Sequence, residues 1–411
     1  LRGGRAQVVI DPKRRAITIG GGLAALAAGL PAAFAQHAGH DMMAKGADAA
    51  RPDLGATAAF DAQGVLWAAH KDGGHIAVSR SEDAGRTWSK PMRVNNVIEP
   101  TDSGADARPK IALGAGGEIY VTWTRPLGKP YTGEIRFARS LDGGRSFSNP
   151  LTVHADRQEI THRFDSVAVN NKGQVFVAWI DKRDGVVAAR RGPGPEYRGA
   201  AVYYAVSDNR GASFRGDYKL AEHSCECCRI SLRSQEDGSV LAMWRHVFAP
   251  NIRDHALARM TPEGRAGEVR RATFDDWRVD VCPHHGPSLD MDANGRLHAV
   301  WFTQAPKNSG VFYGRLRDGG VDLQRRIGGA TAEHADLAVS GNRVAVAWKE
   351  FDGTHSRLRA MLSDDAGEHW RERELAATAE ASDHPRVLLR GSAFHVFWNT
   401  RREPLLTVAL A

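Results

Sequence analysis

The sequence predicts an all-β fold, a single β-propeller of four-stranded blades, seven in number with six as the alternative count. Two observations predict it. An apolar strand ending in tryptophan returns about every 50 residues, and a short turn containing serine and glycine returns in phase with it. The 411 residues are 42% hydrophobic and 25% charged, which supplies a large core and excludes general disorder.

The strand reads GEIYVTW at 117–123, GQVFVAW at 173–179, GSVLAMW at 238–244 and GRLHAVW at 295–301. The same frame returns as NRVAVAW at 342–348 and SAFHVFW at 392–398, and earlier as GVLWAAH at 64–70. Six of the ten tryptophans therefore occupy one structural position. Each stretch is rich in β-branched and aromatic residues and follows another apolar stretch, such as 110–113 or 166–169. The unit is thus all-β and cannot bury both faces alone. The last unit, from Arg386 to Ala411, has room for three strands only, and residues 48–56 are the candidates to complete it.

The turn reads SEDAGRTW at 81–88, SLDGGRSF at 140–147, SDNRGASF at 207–214 and SDDAGEHW at 363–370. A carboxylate here can accept from the turn's own amides, glycine supplies positive φ, and the aromatic packs beneath. The spacing lacks the acidic cluster of a calcium loop. These turns resemble the Asp boxes of the sialidase-like propeller superfamily, and the match extends over 54–411. It implies a glycosidase with a tyrosine nucleophile, an acid/base aspartate and three carboxylate-binding arginines. The sequence departs from that pattern: no Arg-Ile-Pro element precedes the first box, and no tyrosine follows Tyr313. A shared scaffold with a different site is expected.

At the amino terminus, Lys13-Arg14-Arg15 precedes an uncharged Ala/Leu/Gly stretch ending in Ala33-Phe34-Ala35. This resembles a twin-arginine export signal cleaved after Ala35. The expected organisation is a signal over 1–35, a flexible tail over 36–53 and the propeller over 54–411, in a periplasmic or otherwise exported protein. The formal charge of +7 falls to +3 once the first 35 residues are set aside. No basic block then favours nucleic acid, and no later apolar run is long enough to span a bilayer.

In a propeller, the segments linking one blade to the next return to the axis. Here they carry His162, His223, His284, His285, His334 and His384, together with all four cysteines. Thiolate and imidazole together suit a soft or borderline ion, so Cys225, Cys227, Cys228, Cys282, His284 and His285 are the expected metal ligands. His223, His37, His40, Met42 and Met43 are accessory candidates, and the thioethers favour copper over the alternative, zinc. Cysteine pairing is the competing reading. Any two-disulfide arrangement leaves one pair within 225–228, too close for relaxed geometry, while one bridge and two thiols would suit redox chemistry.

Arg108, Arg163, Arg229 and Arg386 also reach the mouth, as an anion clamp or as partners of Asp102, Asp106, Asp165 and Asp383. Three functions follow: metal handling, by copper binding and with a periplasmic protein as partner; a sialidase-like carbohydrate-active or sialic-acid-binding role; and a disulfide-stapled interaction module.

Overall fold

Consecutive apolar strands joined by tight turns pair with their neighbours in sequence, so each repeat folds as an antiparallel meander. Seven sheets result in the computed structural model, which describes residues 54–190 and 199–410. The export signal and the His/Met tail expected over 1–53 lie outside the described residues. Six sheets have four strands in chain order, and the last, Arg386–Arg390, Ala393–Trp398 and Leu406–Leu410, has three. The innermost strands are Thr57–Phe60, Lys110–Leu113, His162–Val169, Ser231–Ser234, Ser288–Met291, Ala332–Ser340 and Arg386–Arg390. Each touches the next and the last touches the first, which closes a ring of seven blades.

Residues 54–56 add no strand to the seventh blade. Instead the backbone N–H groups of Gly55 and Ala56 donate to the buried carboxylate of Asp383, at 2.9 and 2.8 Å, just ahead of the seventh inner strand. The part of the proposed closing segment over 48–53 lies outside the described residues.

A single four-stranded sheet has two apolar faces, and here each face is covered by the neighbouring blade. The core accordingly divides into seven clusters, one between each pair of adjacent blades. Trp123, Trp179, Trp244, Trp301, Trp348 and Trp398 are all fully buried in them. Most satisfy the indole N–H: Trp123 donates to Glu99, Trp179 to Asp181, Trp301 to Asp275, Trp348 to Glu350 and Trp398 to the Asp383 carbonyl. Truncating such a side chain costs about 3–5 kcal/mol.

The box turns add a second contact between blades. A Cβ at Gly144 would lie 2.8 Å from Trp67 of the preceding blade, and one at Gly211 would lie 2.4 Å from Phe137. At Gly85 it would meet Thr407 of the seventh blade at 2.5 Å, so the first box helps close the ring.

One element departs from the repeat. The helix Arg183–Arg190 interrupts the connection between the second and third strands of the third blade. Arg183 anchors it, 2.7 Å from both Asp181 and Asp217, with its guanidinium 4.3 Å above the Tyr203 ring. Among the described residues, no helix is long and apolar enough to cross a membrane.

Candidate functional site

Antiparallel order places the links between blades at one end of the ring and the box turns at the other. Two consecutive links flank the fourth blade at the first end. One runs from the outer strand Arg215–Ser224 to Ser231–Ser234, the other from Arg270–Arg271 to Ser288–Met291. The first carries Cys225, Cys227 and Cys228, the second Cys282, His284 and His285. Cys225 is pinned by its own N–H, which donates to the Arg245 carbonyl at 2.9 Å.

All four cysteines are free thiols. The sulfurs of Cys225, Cys227 and Cys228 form a nearly equilateral triangle with edges of 3.7, 3.9 and 3.9 Å. Cys282 approaches from the other link, and its sulfur lies within 4.8 Å of those of Cys225 and Cys227. The first three are buried in the apolar interface between the third and fourth blades, while Cys282 is partly exposed.

Hydrogen bonds from Cys227, Cys228 and Cys282, aided by the Arg245 cation, hold the Cys225 thiol well below its usual range. Burial pushes Cys227 and Cys228 up. Cys282, bonded to the Cys225 sulfur, is pushed up to about 12. Arg253 adds a second cation, with Nη1 3.6 Å from the Cys225 sulfur. Cys225 is thus the most acidic of the four thiols, with Arg245 and Arg253 beside it.

The histidines are arranged differently. His223 packs edge-on to His246, with ring centroids 6.4 Å apart, and His284 tilts over Phe164 at 6.5 Å. His285 leaves the sulfurs for the sixth blade. It stacks between Phe302 at 3.9 Å and His334 at 4.2 Å, and His334 stacks in turn on His384 at 3.4 Å. His384 Nδ1 faces Asp106 at 3.3 Å. His285, Glu333 and His334 form a second group whose ligand atoms lie within 4.8 Å of one another. Groups able to coordinate a metal ion are therefore present at two places on this end of the ring. His162 lies apart, stacked on His154 at 3.9 Å.

The mouth arginines are occupied. Arg229 is buried, donating to the carbonyls of Pro287 and Ala335 and lying 3.6 Å from Asp106. Arg108 donates to the His384 carbonyl, and burial pulls its guanidinium down to about 10. Arg163 pairs with Asp102, and Arg386 lies 3.4 Å from Asp336. Asp165 accepts from Thr122 and Thr124 instead, and Asp383 from the chain at 55–56. An anion clamp would have to break these pairs. Sequence reasoning passed over Arg245, Arg253 and Glu333, because a cation beside a thiol or a strand glutamate carries no spacing signal.

No family model matches the chain, and no curated protein matches it. Solved structures do resemble it in fold. A polysaccharide lyase family 25 ulvan lyase bound to a GlcA(1-4)Rha3S saccharide shares 11% identity at a TM-score of 0.50, over 87% of this chain and 94% of that one. The polysaccharide lyase Uly1 shares 10% identity at 0.51, over 89% and 90%. An α-L-arabinofuranosidase of Fusarium graminearum shares 12% identity at 0.49, over 76% and 96%. The likeness is that of a propeller scaffold.

Proposed function

We propose that the protein binds one soft metal ion through Cys225, Cys227 and Cys228, with cuprous copper as the occupant; zinc, with Cys282 as its fourth ligand, is the alternative. One observation carries this reading, the spacing of the sulfurs. Thiolates held about 2.3 Å from a common ion stand about 3.8 Å apart in a tetrahedron and about 4.0 Å apart in a trigonal plane. The triangle of 3.7–3.9 Å edges fits a shared ion. A buried triangle suits cuprous copper, whose softness matches sulfur, whereas zinc would draw Cys282 in as a fourth ligand. Arg245 and Arg253 offset the thiolate charge. A setting in periplasmic copper handling rests on the export-like segment at 13–35 and on Met42 and Met43.

The test is metal analysis of the purified full chain. The wild type should hold one thiolate-bound ion per chain, and Cys225→Ser should hold one ion fewer than the wild type. Cys282→Ser separates the occupants, since a three-sulfur copper site survives it and a tetrahedral zinc site does not. Absence of metal from the wild type, or an unchanged metal content in Cys225→Ser, would sink the proposal.

A second reading, a carbohydrate-active propeller, is supported by the fold likeness to polysaccharide lyases and by one surface feature. A groove of about 270 Å³ on the face bearing the blade links is lined by Asp102, Lys129, Tyr131 and Arg163. Tyr131 is 71% exposed, as an aromatic platform for a sugar ring would be. Depolymerisation of an acidic polysaccharide such as ulvan, abolished by Tyr131→Ala, would promote this reading.

A further inference from the structure

The imidazole stack beside the sulfurs has its own chemistry. His285 is 3% exposed, and its Nδ1 and that of His334 are buried without a hydrogen-bond partner. A buried polar atom left without a partner is destabilising. The crevice lined by His285, Phe302 and His334 is too narrow to admit a water molecule, so solvent is a poor remedy. Burial also holds both rings well below the usual histidine range, which keeps them neutral with lone pairs available. Glu333 supplies an oxygen donor 3.5 Å from His334 Nε2, and its other oxygen lies 3.4 Å from Lys349.

We propose that His285, Glu333 and His334 form a second metal site, separate from the sulfurs, for a borderline divalent ion such as zinc or cupric copper. Two imidazoles and a carboxylate suit those ions better than a soft cuprous ion, which prefers sulfur. The rings lie 14° from parallel, so one must turn about its Cβ–Cγ bond before both nitrogens meet one ion. That torsion is broad and soft. Phe302 and His384 bracket the pair on either side and limit which ring can turn. Arg245 separates the two groups. It donates to the His285 carbonyl at 3.0 Å while its charge acts on Cys225 and Cys228.

Cobalt(II) titration of the full chain tests this independently of the sulfur site. The wild type should take up two equivalents. One should bring intense near-ultraviolet thiolate charge transfer, the other only weak visible ligand-field absorption. His334→Gln and the milder Glu333→Gln should each lose the second equivalent and keep the charge-transfer band. Cys225→Ser should lose that band and keep the weak-field equivalent. Saturation of the wild type at one equivalent bearing the charge-transfer band overturns the proposal, as does survival of the weak-field equivalent in both His334→Gln and Glu333→Gln. Loss of the charge-transfer band in a folded Glu333→Gln protein overturns it too, because it would mean one mixed site.

Discussion

The box turns at one end of the ring and the blade links at the other treat their polar atoms in opposite ways. In the four boxes a serine hydroxyl accepts from the glycine N–H, at 2.7, 2.9, 2.8 and 2.8 Å, and donates to the residue two positions after it. That residue accepts from the amide four positions on, so each turn's backbone is closed on itself, though the Trp88 indole of the first box is buried without a partner. The links leave capacity over. The Nδ1 atoms of His285 and His334 are buried without partners, and on the strands of the fourth blade so are His255 Nε2 and the Trp244 indole. In the third and sixth blades the indole donates to an acid two residues on, Asp181 or Glu350, whereas the fourth blade has His246 there. The fourth blade's indole thus lies unpaired beside the links that carry the cysteines.

Acid should separate the two ends most strongly. His154, in the link after the second blade, accepts from the Ile135 N–H at Nε2 and bonds the Asp156 carbonyl through Nδ1, which requires the neutral ring. Burial brings it down to about 3, and burial does the same to His384. Below pH 6.5 the unfolded chain binds protons that these rings refuse, so stability falls as the pH drops from about 6.5 toward 3. At about 1.4 kcal/mol per unit, the loss approaches about 4 kcal/mol for one such group. The box carboxylates share this sign but act in a lower window. Hydrogen bonds from Thr87, Ser146 and His369 hold Asp83, Asp142 and Asp365 well below the usual carboxylate range. Their contribution is present above about pH 4 and is lost only in stronger acid. Thermal melts between pH 7.5 and 4.5 should therefore fall steeply, and His154→Gln should flatten the fall. A melting temperature independent of pH over that range would erase the distinction.

The box end can be probed by paired substitutions within one turn. Gly143 and Gly144 both have positive φ, 69° and 78°. A Cβ at Gly143 meets nothing within 4 Å, while one at Gly144 meets the Trp67 ring at 2.8 Å. Gly143→Ala should cost only the left-handed backbone penalty, about 1–2 kcal/mol. Gly144→Ala adds overpacking against the neighbouring blade, for a total of about 2–4 kcal/mol. Equal losses in chemical denaturation would mean that the turns do not brace neighbouring blades.

Legibility in the sequence followed the same division. The strands and boxes could be read because burial between blades forces period two and because a left-handed turn forces glycine. The meeting of Cys282 with the other cysteines was legible because links flanking one blade must be neighbours. The course of His285 was not. His284 adopts φ 54°, which turns the chain and sends the next side chain toward the sixth blade. Glu333 was hidden for a related reason: the strand Ala332–Ser340 carries an irregularity between Glu333 and Asp336, and His334 there has φ 55°. Period two assigns no face to a residue at a bulge. The helix Arg183–Arg190 replaced a turn whose length the repeat does not constrain.

The smallest expected effect is the one that defines what the box is for. The third box has Asn209 where the others have aspartate, yet it keeps the same contacts. Its Oδ1 accepts from the Ser207 hydroxyl at 2.9 Å and the Ser213 N–H at 3.0 Å, and its Nδ2 donates to Ser213 Oγ at 2.9 Å. In the second box the Ser146 hydroxyl donates to Asp142 instead. Asn209→Asp should therefore reverse one hydrogen bond by a rotation of the Ser213 hydroxyl and leave the number unchanged. Stability at pH 7 should stay within about 0.5 kcal/mol of the wild type, with no response to calcium. A calcium-dependent rise in melting temperature in this variant would show that the carboxylate's charge matters and that the turn is a cation site. Equivalence of the two residues would leave geometry as the whole of its role, in contrast to the links, where replacing one donor type by another should change which ion is held.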